Sequence, residues 1–132
     1  MKLAIIGSRD YLDLEYVRTF VGFLPANVVV VTGGARGVDS AAESAARERG
    51  LAVEIHLPDY ERFGRRGAPM RRNADIVSSA NAVLAFWDGK SSGTQKALAM
   101  AEKAGKPNFT LGYQSTASDA ADVLRVIFRL AS

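Results

Sequence analysis

The sequence predicts a three-layer α/β fold: five parallel strands in the order 3-2-1-4-5, with helices on both faces of the sheet. Two observations carry that expectation. Strand-like apolar runs alternate with helix-like apolar periodicity from one end of the chain to the other, the pattern of parallel βαβ units with right-handed crossovers. The residues that fit neither pattern (glycines, small hydroxyls, arginines) gather just after the strands, and sheets of this kind bind ligands outside the carboxyl ends of their strands.

Each element has a local reason. Lys2–Ile6 is a short apolar run stopped by Gly7, as a buried strand would be. Asp13 can cap a helix whose apolar positions Leu14, Val17, Val21 and Leu24 recur at helical spacing, and Pro25 ends it. Asn27–Thr32 holds four consecutive valines, the mark of a strand covered on both faces. After Gly33–Gly37, the residues Val38, Ala41, Ala42, Ala45 and Ala46 form a thin helical face closed by Gly50. Leu51–Leu57 is the third strand, and Pro58–Pro69 reads as a long connection rich in arginine and glycine. Met70 to about Ser79 is helical, and Ala82–Trp87 is the fourth strand, with a turn at Asp88–Ser92. Ser92 can cap a helix through Ala104, with Gly105 and Pro107 as stop signals. Pro107–Leu111 is the fifth strand, and Ser118 or Asp119 opens a last helix with Val123, Leu124, Ile127 and Leu130 as its core face.

Residues 1–132 read as one domain, within the usual range of about 100–200 residues. With 48% hydrophobic and 23% charged residues the chain has ordinary globular composition. No cysteine is present, which excludes disulfides, thiolate metal sites and cysteine nucleophiles. The single histidine, His56, disfavours a histidine-built metal site or a Ser-His-Asp triad, so no metal is expected. A net charge of +3 and a pI near 9.4 suit an anionic ligand but do not by themselves call for nucleic acid. Lys2 with Leu3–Ile6 is shorter than the roughly 7–15 apolar residues of a signal peptide. Nothing approaches the roughly 18 apolar residues of a membrane span, so a cytoplasmic protein is expected.

Four motifs fall at the predicted rim. Gly7-Ser8-Arg9-Asp10 offers a glycine for close approach, a hydroxyl and a forked cation suited to phosphate. Gly33-Gly34-Ala35-Arg36-Gly37-Val38-Asp39 opens a helix whose N–H groups and dipole favour an anion. It is not the dinucleotide fingerprint, which should follow the first strand and be answered by an acidic residue ending the second, where this chain has Thr32. Arg62, Arg65, Arg66, Arg71 and Arg72, with Asn73, concentrate positive charge, most of it expected on a solvated face. Ser91-Ser92-Gly93-Thr94 stands at a helix start across the switch point and can cradle phosphate, although simple capping would explain Ser92. Trp87 and Asp88 end the fourth strand there, and Trp87 could stack on a base or lie in the core.

Taken in order, Gly7-Ser8-Arg9-Asp10, Gly33 to Asp39, Arg72-Asn73 and Ser92-Gly93-Thr94 resemble the SLOG superfamily, and within it the small YpsA-related group. That superfamily also holds the DNA-uptake protein DprA and the LOG phosphoribohydrolases. The resemblance implies a Rossmann-like fold, often homodimeric, that binds nucleotides or their derivatives. By that analogy Gly33–Gly37 and Gly93-Thr94 would bind phosphate and ribose, and Arg72-Asn73 would contact the ligand. One departure matters. LOG enzymes resemble Pro-Gly-Gly-x-Gly-Thr-x-x-Glu at the fourth-strand loop, and the position of that catalytic glutamate is Ala97 here.

The function expected is therefore recognition of a nucleoside phosphate or ADP-ribose-like ligand by a sensor or accessory module. The ligand-binding residues expected are Gly7, Ser8, Arg9, Gly33, Gly34, Arg36, Gly37, Asp39, Arg72, Asn73, Asp88, Ser92, Gly93 and Thr94. The phosphate is expected between the Gly33–Gly37 loop and the Ser92–Thr94 helix start, above Ser8 and Arg9. No residue is assigned a catalytic role. The rival readings are nucleotide N-glycosidic hydrolysis with Asp39 or Asp88 replacing the glutamate, and single-stranded DNA binding. A homodimer is expected through the alanine-rich helical faces.

Overall fold

A computed structural model describes all residues, 1–132. Its strands are β1 (Lys2–Gly7), β2 (Val29–Thr32), β3 (Ala52–Ile55), β4 (Ala82–Phe86) and β5 (Asn108–Leu111). They form one parallel sheet in the order β3-β2-β1-β4-β5, as the sequence predicts. The helices are α1 (Leu14–Gly22), α2 (Val38–Glu48), α3 (Tyr60–Ser79), α4 (Ser92–Lys103) and α5 (Ala117–Ala131). No helix is long and apolar enough to cross a membrane.

Strand alternation sorts the core into two layers. Leu3, Ile5, Val28, Val30, Leu84, Phe86 and Leu111 point to the face covered by α1, α2 and α5, in a cluster of 20 buried residues. Ala4, Ile6, Val31, Val83 and Ala85 point to the other face, where Ile76 and Val77 of α3 and Ala97 and Ala101 of α4 close a smaller cluster of 10. Phe86 organises the end of β4 next to the rim. Tyr11, Tyr16 and Phe20 meet its ring edge-on at 5.7–6.1 Å between centroids, a geometry that aromatic quadrupoles favour.

Two cations satisfy carbonyls that helix ends would leave unpaired. Arg49 Nη1 donates to the carbonyls of Val21, Gly22 and Leu24 at the end of α1. Lys106 Nζ donates to those of Val77, Ser78 and Ala80 at the end of α3.

Four expectations need correction. The stretch Pro58–Pro69 is not a loop: α3 begins at Tyr60, where the Asp59 carboxylate accepts the Arg62 N–H. Gly64, at φ 76°, kinks it into two helical pieces. Pro69 removes one N–H bond, yet the helix continues because Ala68, Arg72 and Ile76 bury one face at four-residue spacing. The cap of α4 is Ser91, not Ser92, since its hydroxyl accepts the Thr94 N–H. α5 is capped by Thr116, in a reciprocal capping box with Asp119, and Leu130 is exposed, leaving Ile127 as that helix's one buried residue. The thin alanine face of α2 does lie on the sheet, with Ala41, Ala42, Ala45 and Ala46 buried in the larger cluster.

Candidate functional site

The rim at the carboxyl ends of β1 and β4 opens into a cleft of about 750 Å³, within the usual range of roughly 300–1,000 Å³ for small-molecule sites. Gly7, Ser8, Arg9, Asp39, Arg72, Asn73, Asp88, Ser92, Gly93 and Thr94 all line it. The loops after β1, β2 and β4 meet there because β1 lies between β2 and β4, and α3 and the loop after β5 complete the lining.

The floor is fixed by backbone contacts that tolerate no side chain at Gly7. A Cβ there would lie 2.5 Å from the Phe86 carbonyl oxygen and 2.6 Å from Val38 Cγ2. Ser8 is buried; its N–H donates to the Phe86 carbonyl and its hydroxyl accepts the Asp88 N–H at 3.2 Å, tying the end of β1 to the end of β4. Asp88 Oδ1 accepts the N–H groups of Lys90 (2.8 Å) and Ser91 (2.9 Å). Those bonds, the Ser91 one first, hold its carboxyl below the usual range. Asp88 is thus the post that shapes the turn into α4, and Trp87 Nε1 braces the same turn by donating to the Ser91 carbonyl. Trp87 is half-buried and outside this cleft.

The start of α4 has what an anion site needs. Ser91 Oγ takes the Thr94 N–H and the Ser91 carbonyl takes that of Gln95, while the N–H groups of Ser92 and Gly93 have no partner. These two donors carry the positive end of the helix dipole. Two cations at the cleft, Arg9 and Lys90, form no ion pair.

The loop after β2 behaves differently from the phosphate cradle the sequence suggests. Its N–H groups at Gly33 and Ala35 both donate to Asp39 Oδ2, at 3.2 Å each. A carboxylate of the chain itself already occupies the anion position. Gly33, Gly34, Arg36 and Gly37 lie outside the lining of the cleft, and only Ala35 of that loop reaches it. The glycines have packing roles. A side chain at Gly33 would strike Arg72, one at Gly34 would strike Leu57, and one at Gly37 the backbone of Arg9. Arg36 points to solvent and pairs with Asp10 at 3.3 Å. Arg72 is buried, donating from Nη1 to the Gly33 carbonyl (2.5 Å) and from Nε to Asn73 Oδ1 (2.9 Å). It is a brace between α3 and the loop, whereas Asn73 is partly open to the cleft.

Burial pushes the Asp39 carboxyl up to about 6, against the opposing pull of the Ala35 N–H, Arg72, the Gly33 N–H and Arg9. A pKa above its unfolded value means the folded state holds the proton more tightly, so this group's contribution to stability falls as pH rises from about 4 through 6. In Asp39→Asn the amide oxygen can accept both N–H groups, because they converge on one oxygen. Relative to the wild type, this variant should gain about 2–3 kcal/mol of stability between pH 4 and pH 7.5. Urea unfolding at both values checks it, and a difference independent of pH contradicts it.

Sequence reasoning missed Leu12, Lys90 and Tyr113, which also line the cleft. Tyr113 follows β5, so applying the strand-end rule to the fifth strand would have found it; an exposed leucine on a loop gives no such signal.

Comparison with known proteins bears on the same fold. A family model described as the YspA, cpYpsA-related SLOG family matches residues 1–63. Gene 61 protein of Mycobacterium phage D29 is 38% identical over 120 residues, covering 84% of this chain and 96% of that protein. Among solved structures, DprA of Streptococcus pneumoniae superposes with a TM-score of 0.75 at 19% identity over 98% of this chain. This chain spans 56% of that protein's length. DprA of Helicobacter pylori, described for its single-stranded DNA binding mode, superposes with a TM-score of 0.69 at 22% identity, covering 99% of this chain and 78% of its own. At these identities the two structures speak to the Rossmann-like fold.

Proposed function

The chain belongs to the YspA, cpYpsA-related SLOG family, and from that premise we propose that it is a binding module for a nucleotide or nucleotide-derived phosphate ligand held in the rim cleft. The observation that carries the reading is the start of α4: two unpartnered N–H groups, at Ser92 and Gly93, in a cleft that also holds the unpaired cations Arg9 and Lys90. The phosphate lies against Ser92-Gly93, with Arg9 and Lys90 closing on it, and not against the Gly33–Gly37 loop, whose donors Asp39 occupies.

Recognition fits this site better than LOG-type hydrolysis. Ala97, where the glutamate of that motif would fall, is 2% exposed and packs in the smaller core cluster. Asp88 shapes the turn and Asp39 the loop, each through one oxygen, and neither stands at the glutamate's position in the motif.

Arg9→Ala removes one charge-assisted contact, worth about 1.5–3 kcal/mol. AMP affinity by titration calorimetry should fall by roughly ten- to a hundred-fold, while Arg62→Ala on the exposed first piece of α3 changes little. A single-stranded oligonucleotide is the rival ligand, favoured by the description of the Helicobacter pylori neighbour and the exposed Arg62, Arg65 and Arg66. The guanidiniums of Arg62 and Arg71 already cover the Phe63 ring, at 5.0 and 5.5 Å, so such binding would rest on charge and weaken steeply with salt. Salt-resistant oligonucleotide binding with no AMP binding would overturn the nucleotide reading.

A further inference from the structure

The cleft has an apolar lip that phosphate recognition leaves unused. Leu12, on the loop after β1, is 86% exposed, and Tyr113, on the loop after β5, is 50% exposed; both line the cleft. Neither is a loose surface residue. Tyr113 Oη accepts the Leu12 N–H at 2.9 Å. Its ring stacks on that of Tyr11, with centroids 4.7 Å apart and 23° between planes. Tyr11 is buried, and its ring meets Phe86 edge-on. The preceding Gly112 lies so close to β4 that a Cβ would come within 2.9 Å of the Trp87 carbonyl oxygen. The ring is thus held from both ends before any ligand arrives.

A fixed aromatic ring beside an exposed leucine has a cost in water and a use in a cleft whose other end is cationic. Resting on the nucleotide reading above, we infer that Tyr113 and Leu12 form the ledge on which the nucleobase lies, the ring of Tyr113 stacking on the base. The ligand that matches the cleft is anionic at one end and flat and apolar at the other. The hydroxyl of Tyr113 accepts the Leu12 N–H, which fixes the ring so that its face is what the ledge offers a base. Stacking on a ring face grows with the area of the base, so the ledge favours large bases over small ones.

Calorimetry with two probes, AMP and ribose 5-phosphate, tests the assignment. Base stacking on an aromatic side chain supports a preference for AMP of about five- to a hundred-fold. Tyr113→Ala should erase that preference by weakening AMP alone, and Tyr113→Phe, which keeps the ring and loses only the bond to Leu12, should preserve it. The ledge is overturned if wild-type protein binds both probes equally, if Tyr113→Ala leaves the ratio unchanged, or if it weakens both probes alike, as a mere brace of the Leu12 loop would. Failure of both probes to bind the wild type would instead overturn the nucleotide reading beneath it.

Discussion

Gly93→Asp is expected to abolish phosphate-ligand binding without harming the fold. A Cβ at Gly93 meets nothing within 4 Å, so the side chain has room. A carboxylate in the first turn of α4 also suits the helix dipole, by about 0.3–1 kcal/mol, and thermal stability should stay level or rise. Yet that carboxylate stands where the ligand's phosphate must approach, repels it, and can itself engage the free N–H groups. A loss of more than about a hundred-fold in AMP affinity corresponds to roughly 2.8 kcal/mol. The opposite signs expected for stability and binding separate this prediction from general damage. Calorimetry and thermal unfolding on the same preparation read both.

A large loss of stability is expected at Gly7. Alanine there would press a Cβ against a backbone carbonyl oxygen of β4 and against Val38, whose side chain is fully buried at the start of α2. Neither neighbour can rotate away. Overpacking usually costs about 1–3 kcal/mol and occasionally more; the rigid partners put Gly7→Ala at about 3 kcal/mol or above. Gly22→Ala is the control: no atom lies within 4 Å of its added Cβ, and alanine has the better helix propensity by about 1 kcal/mol. Denaturant unfolding should find Gly7→Ala severely destabilised and Gly22→Ala neutral or stabilised. Equal behaviour of the two would mean that β1 and β4 can separate at the rim more easily than their contacts suggest.

The sequence carried the sheet because its signals are local. The valine run of β2, the continuous apolar runs of β1 and β4 and the Gly and Pro stops need no knowledge of neighbours. It also placed Gly7–Arg9, Asp88 and Ser92–Thr94 on one rim, since strand order alone brings those ends together. What it misread was tertiary. Three glycines after β2 look like a phosphate loop, but Gly33 makes room for Arg72 and Gly37 for the backbone of Arg9, partners that lie far off in sequence. The start of α3 was hidden by Gly64, Gly67 and Pro69, which are breakers by propensity and are overridden by a buried face. Tyr113 was within reach of the strand-end rule applied to β5, but its contacts were not, since they are with Tyr11 and Leu12, about a hundred residues earlier.

The central claim is that the anion site lies at the start of α4, and amide chemical shifts recorded while AMP is added test it most directly. The largest movements should fall on the N–H groups of Ser92 and Gly93, with Ser8 and Arg9 following and Gly33 and Ala35, already bonded to Asp39, changing least. Movements confined to Gly33–Gly37 or to the arginines from Arg62 to Arg66, with Ser92 and Gly93 silent, would contradict it.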